Sequence, residues 1–108
     1  MTTFDERKNA YEKKFALDQD FKFKAEARRT KFVAEWAAGK LKLTGQAVQE
    51  YIKAARKADL AQKGDDDLFA KIRADFDAKG VKVSDRAIRK AMADFLAKAV
   101  EQLESSKQ

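Results

Sequence analysis

Any chemistry done by this chain of 108 residues would have to rest on carboxylates, lysines or tyrosines, because it contains no His and no Cys. Their absence removes the imidazole base, the thiolate nucleophile, disulfides, and metal sites built from nitrogen and sulfur ligands. Asp65-Asp66-Asp67 suggests calcium, but a calcium loop alternates its acidic ligands and places Gly sixth and Glu twelfth, where Ala70 and Phe76 stand here. The run reads instead as helix N-capping. Gly39-Lys40 imitates a phosphate-binding loop, yet Ala34 occupies the place of the loop's first Gly and Leu41 that of its Ser or Thr. It reads as a helix C-cap. Asp75 and Asp77, two residues apart, cannot face one another on a helix and form no acid–base pair. The chain is expected to be no enzyme, with no metal and no cofactor.

The second kind of chemistry available is charge. The formal net charge is +6, and most of the excess lies at residues 21–43, in Lys22, Lys24, Arg28, Arg29, Lys31, Lys40 and Lys42. These could meet phosphates, but on a helix they scatter around the polar face between Phe21, Phe32 and Trp36, and no base-reading motif accompanies them. A solvated basic face is the expectation, with nucleic-acid binding kept as the competing function. No run approaches the roughly 20 apolar residues that span a bilayer, and the N-terminus has no apolar signal region. The chain therefore reads as cytosolic, without membrane insertion.

The elements that hold these residues are expected to be all helical, since no stretch alternates like a strand and every interval carries apolar residues at the 3.6 period. Ser84 is a natural N-cap for a stripe of Ile88, Met92, Phe95, Leu96, Ala99 and Leu103, which predicts a helix at about 84–104. Leu68, Phe69, Ile72 and Phe76, opened by acids and closed by Lys79-Gly80, predict one at about 66–79. Val48, Tyr51, Ile52, Ala55 and Ala58 predict one at about 45–62, with the Tyr51 hydroxyl at its rim. Phe21, Ala25, Phe32 and Trp36, flanked by Val33 and Ala37, predict a fourth at about 21–38. The expected fold is a four-helix bundle over residues 21–108 whose core holds Phe32, Trp36, Ile52, Ile72, Phe76, Ile88, Phe95 and Leu96.

Residues 1–20 differ. Phe4, Tyr11 and Phe15 form a narrow stripe on a segment crowded with charge, and Thr3 with Glu6 matches a capping box. The spacings of seven and four residues put the three rings along one side of a helix, about 17 Å from first to last. A short helix without packing is marginal in water, so this segment is expected to be helix-prone but mobile when free. Three aromatics on one such face suggest a partner's groove.

Phe4-Asp5-Glu6-Arg7, Ala10-Tyr11-Glu12, Lys14-Phe15-Ala16, Ala25-Glu26-Ala27-Arg28-Arg29 and Trp36-Ala37-Ala38 occur in an order and spacing that resembles the zeta subunit, the ATPase inhibitor subunit, of alphaproteobacterial F-type ATP synthases. The likeness continues through Leu43-Thr44-Gly45, Gly64-Asp65, Lys71-Ile72-Arg73-Ala74-Asp75 and Gly80. Glu6 stands for an Asp of the family pattern, Tyr11 for a Phe and Thr30 for an Asn. The resemblance implies a four-helix bundle with an N-terminal inhibitory segment that enters the catalytic α/β interface of the synthase head near the rotor and blocks ATP hydrolysis. Carried onto this sequence, the partner-binding residues are Phe4, Asp5, Arg7, Tyr11, Lys14 and Phe15. The implied protein is a regulator, monomeric when free and held at the cytoplasmic face of the membrane-bound synthase. The alternative is a helical adaptor or nucleic-acid-associated protein that uses the basic face at 22–42.

Overall fold

The computed structural model describes residues 19–61 and 65–105. Among them are four α-helices and no strand: α1 (Gln19–Lys40), α2 (Gln46–Ala61), α3 (Asp66–Lys79) and α4 (Asp85–Ser105). The all-α expectation holds, and the helix bounds lie within two residues of those read from the sequence. The segment expected to be mobile, and with it Phe4, Tyr11 and Phe15, lies almost wholly outside the described residues.

Local sequence sets most of the helix ends. Ser84 Oγ accepts the backbone N–H of Ala87 at 3.1 Å, as an N-cap serine should. Gly80 adopts a left-handed φ of 68° and, with Val81 donating to the Phe76 carbonyl at 2.8 Å, closes α3. The end of α1 departs from expectation. Gly39 stays helical and Lys42 takes the left-handed position, with a φ of 62°. Leu43 then donates to the Ala38 carbonyl at 2.9 Å and Lys42 to Gly39 at 3.1 Å, a Schellman-type closure. The reason is packing: two residues beyond Gly39 are needed before Leu41 and Leu43 can both turn onto the core. A lysine therefore bears strain that a glycine would not.

Each helix runs antiparallel to the next. Thr30 of α1 meets Asp59 of α2, Lys71 of α3 lies over the Tyr51 ring of α2, and the Phe32 ring of α1 meets that of Phe95 of α4 at 6.0 Å with the planes tilted by 42°. Arg73 fastens the α3–α4 turn by donating to Asp77, to Asp85 and to the Val83 carbonyl. These hydrogen bonds raise the Arg73 pKa above its ordinary value.

Two apolar clusters fill the bundle. The larger joins all four helices through Val33, Ala34, Ala37 and Ala38 of α1, Tyr51, Ile52 and Ala55 of α2, Leu68, Ile72 and Phe76 of α3, and Ile88 and Met92 of α4. The smaller joins α1 and α4 alone, through Phe21, Ala25, Val100 and Leu103. Of the expected core, Ile52, Ile72, Phe76 and Ile88 are buried, whereas Phe32, Trp36, Phe95 and Leu96 are only half-buried. The correction has a steric cause. The α1 residues that face the centre are mostly alanines, so the backbones approach closely and the large rings are displaced to the seams between helices. There Trp36 meets Phe76 edge-on at 5.8 Å, and the Lys98 ammonium caps the Phe32 ring at 4.7 Å.

Candidate functional site

A charged residue on the buried stripe of a helix must find partners, because an unpaired charge in an apolar interior is too costly to keep. Arg29 is such a residue. It follows Ala25 by one turn on the inner face of α1 and is only 1% exposed. Its Nη1 donates to Asp65 Oδ1 at 3.0 Å and its Nη2 to Asp59 Oδ1 at 3.4 Å, so one guanidinium ties α1 to the end of α2 and the start of α3. Thr30, equally buried, sits 2.9 Å from the Glu26 carbonyl and 3.2 Å from Asp59 Oδ2, and its single proton serves one of them at a time.

Carboxylates outnumber cations in this clasp. Burial raises the pKa of Asp59 above the ordinary range, against the pull of Arg29 and the Thr30 hydrogen bond, while Asp65 and Asp67 push the same way as burial. Glu26 is raised likewise, first by burial, with Arg29 and Lys22 opposing. The three consecutive acids diverge. Asp65 sits at the N-cap of α3 but makes no side-chain cap bond and turns to Arg29 instead, which corrects the capping role expected of it. Asp66 receives Arg89 Nη2 at 2.9 Å, and Asp67 holds a buried Oδ2 that has no hydrogen-bond partner. Among the described residues, no group of three or more acids could hold a metal.

The remaining candidates are structural. Asp75 pairs with Lys71 at 2.9 Å and Asp77 with Arg73 at 2.8 Å, each one turn apart on α3. The Tyr51 hydroxyl is buried without a well-formed hydrogen bond, not at the rim as expected. Burial, and then the neighbouring Asp75 carboxylate, hold its pKa above the ordinary value. The basic face loses its most central member, because Arg29 points inward and is bound by two carboxylates. Lys22, Lys24, Lys31, Lys40 and Lys42 stay exposed, and Arg28 is half-buried with Gln102 at 3.4 Å. Sequence reasoning missed the clasp, although its signal was present: Arg29 falls in line with Ala25, Phe32 and Trp36 on the apolar stripe.

The expected partner-binding residues Phe4, Asp5, Arg7, Tyr11, Lys14 and Phe15 all lie outside the described residues. What the structure describes is the base from which that segment extends, the first turns of α1 at Gln19. The model of a known family, ATPase inhibitor subunit zeta, matches residues 1–102. The resemblance read from the sequence is thereby borne out. No curated protein matches the chain.

Proposed function

We propose, from the premise that the chain belongs to the ATPase inhibitor subunit zeta family, that it is a non-catalytic regulator which binds the head of an F-type ATP synthase and restrains ATP hydrolysis. The observation that carries this reading is the extent of the family match, which takes in the charged N-terminal segment as well as the bundle. Residues 1–20 act as the inhibitory segment and residues 21–108 as the docking bundle. Phe4, Tyr11 and Phe15 enter the groove between α and β subunits near the rotor as an amphipathic helix, and Asp5, Arg7 and Lys14 meet its charged walls and fix the register. Among the described residues no helix is long and apolar enough to cross a membrane. In this reading the chain is held at the cytoplasmic face of the membrane by the synthase itself.

Support for the division of labour comes from the two apolar clusters, through which the described helices α1 to α4 already pack on one another. Deleting residues 1–19 is expected to leave the melting temperature of the bundle nearly unchanged and to abolish inhibition of ATP hydrolysis by the purified synthase. Tyr11→Ala with Phe15→Ala should weaken inhibition strongly, since aromatic anchors at hot spots are worth about 2 kcal/mol or more each. Unfolding of the truncated chain would put the segment in the core. A folded truncation that inhibits as well as the full chain would place the inhibitory element elsewhere.

A further inference from the structure

Among the described residues Phe23 is the large apolar side chain that stands out in solvent: it is 66% exposed, while its neighbours Phe21 and Ala25 are buried. A single exposed ring is ordinary on a protein surface, so its position has to carry the argument. Residues 23, 27, 30, 34 and 37 follow one another at steps of four and three and form one stripe along α1. The lower part of that stripe, Thr30, Ala34 and Ala37, is buried. Its upper part, Ala27 and Phe23, is exposed. The change occurs at the clasp, where Asp59 near the end of α2 and Asp65 at the start of α3 both reach Arg29.

Beyond the clasp α1 runs a further ten residues to Gln19, about 15 Å at 1.5 Å per residue, and rests there on α4 through Phe21 and Ala25. Phe23 thus stands on a ledge that continues a packed seam past the point where its cover ends. Lys24 and Lys31 border the ledge on one flank, both exposed. Lys24 meets Asp20 at 3.1 Å, but both side chains are more than 60% exposed, so this pair is weak and can exchange for a partner's carboxylate.

We infer that Phe23, with Ala27 beside it and Lys24 and Lys31 at its edge, is a second anchor for the synthase head and enters an apolar pocket bordered by carboxylates. The inference rests on the inhibitory reading and adds a surface to it. Charge complementarity selects the occupant's chemistry, and the position of Phe23 four residues after Gln19 makes the ledge continuous with the segment assigned to inhibition. A ring held on a helix that is already folded loses little freedom on binding, which suits an anchor.

The test is the affinity of the full-length chain for purified synthase head, measured at low and moderate salt with the melting temperature of each variant. Phe23→Ala should weaken binding by about tenfold or more without moving the melting temperature, and Phe23→Trp should retain most of it. Lys24→Glu with Lys31→Glu should weaken binding chiefly at low salt, where exposed charges are least screened. If the unaltered chain neither binds nor inhibits, the functional reading itself fails. If it binds and Phe23→Ala binds equally well, the anchor is wrong and the reading stands. A melting temperature lowered by several degrees in Phe23→Ala would make the ring structural and overturn the anchor. So would loss of a concentration-dependent dimer, which would show that a second copy of the chain covers the ledge.

Discussion

The two halves of α1 are held by different physics. From Thr30 to Ala38 the inner face of the helix packs against apolar groups of three other helices, and its buried apolar members are mostly alanine. From Gln19 to Arg29 it has apolar support on the α4 side and a polar clasp on the other. The enclosed half depends on shape and volume, and the overhanging half on charge and on one small cluster. A chain of this size buries a limited fraction of its surface, so it concentrates that burial at one end and leaves the other adjustable.

The sharpest way to test this contrast is to empty the enclosed half. Phe76→Ala should cost about 3–5 kcal/mol, most of the stability of a small domain, read as a fall in the denaturant midpoint. In the overhanging half the expected losses are smaller. Arg29→Ala should cost about 2 kcal/mol, below the usual penalty for breaking a buried pair because the Asp65 side chain is half in solvent. A double-mutant cycle of Arg29 with Asp59 isolates the coupling, and a value near zero would show that the clasp is ornamental. Leu103→Ala should cost a similar or smaller amount, and a loss as large as that of Phe76→Ala would erase the distinction between the two halves.

The clasp also predicts an unusual response to pH. Glu26 and Asp59 have raised pKa values in the folded state, so between the ordinary carboxylate value and the raised one the folded chain holds protons that the unfolded chain releases. Stability carried by these two groups is therefore present at acid pH and lost as pH rises through their folded values. The melting temperature should climb slightly as the pH falls through these raised values, and Glu26→Gln with Asp59→Asn should flatten that slope. The smallest effect belongs to the enclosed end. Gly39 is helical with open space where a Cβ would stand, so Gly39→Ala should stabilise by up to about 1 kcal/mol.

Features fixed by a few adjacent residues were legible in the sequence. Ser84 and Gly80 announce their caps because the bonds they make are local, and the stripes of α3 and α4 give their inner faces directly. Features decided by a distant neighbour were not. The place of Arg29 on the apolar stripe marks it as inward-facing, but that Asp59 and Asp65 are its partners depends on residues thirty and more positions away. The displacement of Phe32, Trp36, Phe95 and Leu96 to the seams depends on how closely alanine-faced helices approach, which periodicity does not encode. Lys42 in a left-handed conformation is likewise set by where Leu41 and Leu43 must pack. The N-terminal stripe is the opposite case: its pattern is plain in the sequence, and it lies outside the residues whose geometry is described.

The overhang of α1 is mechanically a lever with its fulcrum at Arg29. Ten residues of helix make an arm of about 15 Å, so a tilt of roughly 10° at the fulcrum carries Gln19 through between 2 and 3 Å, by the rise of about 1.5 Å per residue. The Phe21 and Ala25 contacts with Val100 and Leu103 lie out along the arm and resist that tilt by steric fit, whereas the guanidinium–carboxylate bonds lie at the pivot and have no leverage against it. The direction in which the chain enters the bundle is thus stiff towards α4 and compliant towards the α2–α3 corner.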